Sequence, residues 1–116
     1  MPAAERKSFD AADETRHFPR RGRVDVVTVG GRDLGRATFE PGWRWTTDIQ
    51  PAAGTPSCPE AHTGYLVTGR LHVRFDDGAE LELAAGDAFH LPAGHDAWTV
   101  GDEPCQLVDF VGITRS

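Results

Sequence analysis

In the stretch CPEAH, a thiol at Cys58 and an imidazole at His62 stand four residues apart, just ahead of a run that reads as a β-hairpin. Residues i and i+4 of a strand share a face, so these two side chains could converge on one ion. His95, directly after Gly94, adds a third donor if its loop curls over the mouth of the fold. A thiolate with two imidazoles suits zinc, and also iron or copper. Three protein ligands leave one coordination position open, as in catalytic zinc sites. The plainer reading of the same residues is a small buried thiol and a histidine that only hydrogen-bonds a neighbour.

Other candidates surround this core set. Glu60 has the strand parity of Cys58 and His62, and reads as a fourth donor, a base or an exposed loop acid. Tyr65 has the opposite parity and packs outside a regular strand; a bulge would turn its hydroxyl to the site as an acid or an anchor. Trp43, Trp45 and Trp98 could line a pocket and stack on a flat ligand, or belong to the core or an interface. Asp96 and Arg44 are polar candidates near the same mouth, and the sequence leaves the facing of His90 and His95 open. Cys105 reads as a buried thiol, although a Cys58–Cys105 disulfide would remove the metal site.

These residues need elements to position them. VDVVTV, from Val24, is β-branched and ends at the turn signal Gly30-Gly31-Arg32-Asp33. Next comes LGRATFEPGWRWTT, an extended segment with Trp43 and Trp45 on one side, and then the Pro-, Gly- and Ala-rich DIQPAAGTPSCP, a loop. The clearest unit is GRLHVRFDDGAELELAAGD. A three-residue loop Asp76-Asp77-Gly78, with Gly78 left-handed, sets Phe75 opposite Ala79, Val73 opposite Leu81 and Leu71 opposite Leu83. Arg74 then meets Glu80 and His72 meets Glu82 on the polar face, which gives His72 a structural role. GDAFHLPAGHDAWTV holds two further strands around Pro92-Ala93-Gly94, and EPCQLVDFVGI holds the last. No stretch sustains helical periodicity, so the chain is all-β, a sandwich or a barrel.

Composition narrows the class. With 116 residues, the chain makes one domain with one core. Residues 1–22 are polar and unpatterned, and read as a mobile tail or an arm docked on a partner subunit; residues 23–116 form the domain. Net charge is −6, which argues against nucleic acid or an anionic membrane as the main partner. The basic run Arg20 to Arg23 reads as a solvated linker. The N-terminus has no apolar signal core and no run is long enough to span a bilayer, which points to the cytoplasm. Two cysteines make no disulfide framework.

Gly69 sits on the turn before the central hairpin, and beyond the hairpin Gly86-Asp87 opens a run of Gly, five residues, then Pro92-Ala93-Gly94. In this order and spacing, the stretch from Gly35 to Val111 resembles a small single-domain cupin. The resemblance implies a jelly-roll barrel (a double-stranded β-helix) whose interior holds a metal or a small ligand, and a homodimer. It also implies an altered ligand set. The family places a His-any-His pair and then, four residues on, a Glu that lies seven residues before the Gly. Counting back from Gly69, those slots are Pro56, Cys58 and His62. The His of the second motif falls at Ala97, while His95 stands two residues early. The implied cofactor is a divalent metal, zinc or iron, held by Cys58, His62 and His95. The implied function is a metal-dependent enzyme of dioxygenase, isomerase or lyase type acting on a small molecule; the alternative is a non-catalytic ligand-binding or sensor module, and a metal-free scaffold is the third reading.

Overall fold

The structure, a computed structural model, describes residues 3–50 and 54–112. After a single 3-10 turn at Phe9–Ala11 come strands β1 (Glu14–His17), β2 (Gly22–Val29) and β3 (Arg32–Phe39) and one helical turn, α1 (Trp45–Asp48). Then follow β4 (His62–Thr68), β5 (Arg70–Phe75), β6 (Glu80–Ala84), β7 (Ala88–Leu91), β8 (His95–Thr99) and β9 (Cys105–Val111). These form a six-stranded sheet in the order β1-β2-β3-β9-β4-β7 and a three-stranded sheet in the order β6-β5-β8. All pairings are antiparallel. This is an all-β jelly roll, and no helix of the described residues is long and apolar enough to cross a membrane.

Alternation along each strand builds the core. Val24, Val26, Ala37, Leu66 and Leu107 point inward from the larger sheet, and Leu71, Val73, Leu83 and Ala97 face them from the smaller one. The central hairpin has the register expected from its two faces: Leu71 pairs with Leu83, His72 with Glu82, Val73 with Leu81 and Arg74 with Glu80. The Phe75 N–H closes the loop on the Ala79 carbonyl at 2.8 Å, and Gly78 has φ +90°. Pairing of β4 with β9 is tighter and carries two register shifts. At Gly64 a β-carbon would collide with the Val108 carbonyl, so only glycine lets these strands approach so closely.

The N-terminal segment differs from the tail expected. Glu14–His17 pair with β2 of the same chain, Glu14 opposite Val26 and His17 opposite Arg23, so a boundary at residue 22 would cut a hairpin. What ties the segment down is charge. Buried Asp25 accepts from Thr15 Oγ1 at 2.9 Å and from Arg36 Nη2 at 2.9 Å, and Arg36 also reaches Asp10 at 2.9 Å. The edge strand itself is exposed throughout, which is why its residues carry no apolar pattern. Nor is the basic run free linker: Arg21 pairs with the fully buried Asp48 at 3.2 Å, and Arg23 lies 3.6 Å from Asp25.

Candidate metal centre

His62 opens β4, and its inward neighbours Gly64 and Leu66 are buried while Thr63, Tyr65 and Val67 are exposed. Cys58 is not on that strand, as the four-residue spacing suggested, but in the loop before it. It reaches His62 because the loop folds against the start of β8. The Cys58 N–H donates to the His95 carbonyl at 2.8 Å, and the Gly94 N–H donates to the Cys58 carbonyl at 2.8 Å. His95 is the first residue of β8, where alternation buries His95, Ala97 and Thr99 and leaves Asp96 and Trp98 on the other face. Thus His95 points inward. Ala97 is on the same face and lines the same cavity. A donor at 95 instead of 97 therefore moves two residues, about 6–7 Å, along the strand.

The three side chains meet. Cys58 Sγ lies 3.5 Å from His62 Nε2, and the potential ligand atoms of Cys58, His62 and His95 all fall within 4.8 Å of one another, each residue being buried. Each imidazole is oriented from behind. His62 Nδ1 is 2.7 Å from the Asp109 carboxylate, and His95 Nδ1 donates to the Pro92 carbonyl at 2.8 Å. Both contacts put a proton on Nδ1 and direct Nε2 at the cluster, the arrangement that surrounds histidines holding a metal. Zinc bond lengths at tetrahedral angles would separate a thiolate sulfur and an imidazole nitrogen by about 3.6 Å, so the donor set fits a zinc-sized ion. Iron(II) accepts the same donors.

Electrostatics favour a thiolate here. Burial by itself would push the Cys58 thiol up, but the His62 and His95 imidazoles outweigh it and bring it down from 9.0 to about 6. Burial would also push His62 down, yet Asp109 and Cys58 raise it from 6.5 to about 9. Without metal, the pair therefore stands as thiolate and imidazolium at neutral pH. Cys105 is the opposite case. It is completely buried with no charge partner, and burial pushes it up to about 12. Neither cysteine is in a disulfide.

Several residues named from the sequence lie elsewhere. Tyr65 is 43% exposed on the outer face of β4, opposite Val108, because β4 alternates regularly there. Glu60 is only half-buried in the loop, and its backbone carbonyl, not its carboxylate, lies near Cys58 Sγ, at 3.8 Å. Trp98 faces away from the cavity, stacked on His72 at 4.7 Å with the Arg44 guanidinium 4.5 Å above its ring. His90 bonds Thr63 Oγ1 at 2.8 Å on the exposed side of β7. Trp43 and Trp45 do line the cavity, together with Phe39, Leu71 and Leu107. They flank outward-facing Arg44 in an alternating step, after which the chain makes the helical turn α1 that the sequence did not announce. Asp96 holds that turn in place: it accepts from Arg44 Nε at 2.8 Å and from the Thr46 N–H at 3.2 Å. Asp109 was not among the candidates. Its signal is in QLVDFV, where Leu107 and Asp109 share the inward parity of Cys105, and a carboxylate on an apolar face needs a partner.

With this geometry in view, the comparisons are consistent. The cupin domain family matches residues 45–111, and the chain belongs to that family. Among solved structures, a Cupin 2 conserved barrel domain protein from Salinispora arenicola CNS-205 superposes with a TM-score of 0.64 at 20% identity, over 93% of this chain and 87% of that one. A DUF1255 protein of unknown function from Acidithiobacillus ferrooxidans NCIB8455 superposes with 0.60 at 20% identity, over 84% and 86%. KdgF from Halomonas sp. does so with 0.57 at 18% identity, over 83% and 82%. These likenesses establish the fold. No curated protein sequence matches the chain.

The charge pair yields a prediction for metal-free protein. His62, raised, stabilises the fold fully below pH 6.5 and loses that contribution as pH rises through about 9. Cys58, lowered, stabilises it above pH 9.0 and loses that contribution as pH falls through about 6. Between these limits the two slopes oppose and nearly cancel, so unfolding experiments will read little from the pair. Thiolate absorbance at 240 nm will read it directly. It should rise with a midpoint of about 6, and Asp109→Asn should move that midpoint upward by removing the anion that keeps His62 charged. A wild-type midpoint in the range of an ordinary thiol would contradict the pairing.

Proposed function

We propose that the protein is a metal-dependent cupin in which Cys58, His62 and His95 hold one zinc or iron ion and present it to a small molecule in the barrel. The observation that carries this reading is the convergence of three soft and borderline donors, with both imidazoles already oriented by partners behind them. A divalent ion held by three protein ligands supplies a Lewis acid with an open coordination position. The chain's own residues do the rest. Asp109 fixes the His62 ring, the Pro92 carbonyl fixes His95, and Phe39, Trp43 and Leu71 keep bulk water from the site.

Two features narrow the chemistry. The centres of water-sized molecules find only about 40 Å³ of space in the cavity, so the molecule it admits has only a few heavy atoms. Its titratable lining consists of Cys58, His62, His95 and Asp109, all engaged in the cluster. Isomerases and lyases move protons between atoms of the substrate and need a free acid or base for it. With Tyr65 and Glu60 outside, no such group is at hand among the described residues. This favours either chemistry that needs no protein base, as in a dioxygenase, or plain binding of a ligand as a sensor module. Incubation with candidate small molecules separates these two: a ligand that raises the melting temperature and is recovered unchanged marks a binder.

Metal analysis tests the reading itself. Purified wild type should retain about one equivalent of zinc or iron per chain, as a three-ligand site does, and Cys58→Ser should lose most of it. Asp109→Asn should keep the ligands yet weaken affinity about 10- to 100-fold by loosening His62. Equal and substoichiometric metal in all three proteins would reject the site.

We further propose that the outer face of β4 and β9 is covered by a second copy of the chain, because Tyr65, Val67 and Phe110 lie there 43–47% exposed. Sedimentation equilibrium should give twice the chain mass, falling toward the single mass in Tyr65→Glu combined with Phe110→Glu. A monomeric wild type would rule out this partner.

A further inference from the structure

Nearly every polar atom of the barrel cavity is committed. His62 Nδ1 is held by Asp109 Oδ2, His95 Nδ1 by the Pro92 carbonyl, and Asp109 Oδ1 accepts from the Val111 N–H at 2.8 Å. Trp43 is the exception. Its side chain lines the cavity and is 3% exposed, yet Nε1 has no hydrogen-bond partner. Among the described residues it is the one buried side-chain nitrogen or oxygen in that position. The ring is not placed to swing toward another acceptor. It stacks on Phe39 at 3.9 Å, and its backbone is fixed on both sides, the Trp43 N–H donating to the Glu40 carbonyl and the Thr99 N–H to the Trp43 carbonyl, each at 3.0 Å. A buried indole N–H in a native interior nearly always has an acceptor, because without one its lost hydration is not replaced.

The rest of the cavity limits what that acceptor belongs to. No lysine or arginine lines it. A Cys58 thiolate and the Asp109 carboxylate together already balance one divalent ion, so an entering anion would find no further positive charge in a low-dielectric site. The walls are otherwise hydrocarbon, and the space open to the centres of water-sized molecules is about 40 Å³.

We propose that the Trp43 indole N–H is the second anchor of the cavity's ligand, and that this ligand is a small uncharged carbonyl compound, a short ketone or aldehyde. Its oxygen accepts from Trp43 Nε1. Its short apolar remainder lies against Phe39 and Leu71. The inference rests on the reading of Cys58, His62 and His95 as metal ligands.

The test is a titration of zinc-loaded wild type with acetone, and separately with acetate, followed by the indole N–H signals in nitrogen-15 NMR spectra. The signal of Trp43 is identified by its loss in Trp43→Phe, which keeps the aromatic stack and removes the donor. Acetone should shift the Trp43 signal saturably, with acetate weaker. Trp43→Phe should bind acetone about tenfold more weakly, the worth of one hydrogen bond, with zinc content unchanged. A Trp43 signal that acetone leaves unmoved overturns the proposal, as does acetate binding that equals or exceeds acetone binding. If Trp43→Phe does not fold, the Trp43 signal is assigned by elimination, as the one that survives in both Trp45→Phe and Trp98→Phe, and the wild-type titration decides. A protein that takes up no zinc fails the metal reading, as metal analysis reports separately, and the same titration of that protein still decides the Trp43 contact.

Discussion

A carboxylate, Asp109, is buried at 1% exposure inside a barrel walled mostly by hydrocarbon, and the site depends on its bond to His62. An isolated ionised carboxylate is very unfavourable in such surroundings. His62 offsets that cost by donating Nδ1–H, and in doing so commits its other nitrogen to the centre of the barrel. There the nitrogen meets Cys58, which answers as a thiolate. The result is a chain of alternating charge, carboxylate to imidazolium to thiolate, in which each member makes the next affordable. Removing Asp109 outright would leave a buried imidazole without its partner, a change that typically costs about 3–5 kcal/mol for a buried ion pair. A divalent ion taking the place of the proton between sulfur and nitrogen adds one positive charge, which neutralises thiolate and carboxylate together, so the polar cluster and the donor set are two states of one arrangement.

The fold brings these groups together from distant parts of the chain. Asp109 comes from β9, His62 from the start of β4, and His95 from the start of β8 in the opposite sheet. The contact of β4 with β9, made close by Gly64, sets the His62–Asp109 distance. The pair of backbone bonds between Cys58 and the Gly94-His95 step brings the loop thiol across to the smaller sheet. At the other wall, Asp96 grips Arg44 and Thr46 from outside, so that Trp43 and Trp45 stay pressed into the cavity. Each donor is thus supported by main-chain hydrogen bonds and not by side-chain packing alone, the kind of support a metal site needs to hold its geometry.

Much of this was legible in the residues. The central hairpin has its expected register because only a three-residue loop keeps one face apolar and the opposite charges paired on the other. The convergence of Cys58, His62 and His95 followed from donor type and motif slots, though the route differs: Cys58 arrives from a loop, since backbone bonding to His95 outweighed strand parity. Trp98 was misplaced because parity on β8 was unknown until His95 was seen to point inward. The N-terminal strand was illegible in apolar pattern, since it is an exposed edge bound by its backbone and by the Thr15, Asp25 and Arg36 bonds. Asp109 could have been found, because alternation in the last strand places its carboxylate among inward leucines. No residue spacing could have announced the small size of the cavity, which is set by how closely the aromatic side chains pack.

The central claim is that one sulfur and two imidazole nitrogens bind a single ion inside the barrel. X-ray absorption at the zinc edge of zinc-loaded protein measures that shell directly. The account predicts one sulfur at about 2.3 Å and two imidazole nitrogens at about 2.0–2.1 Å, with one further light atom. A shell of nitrogen and oxygen alone, with no sulfur, would contradict it.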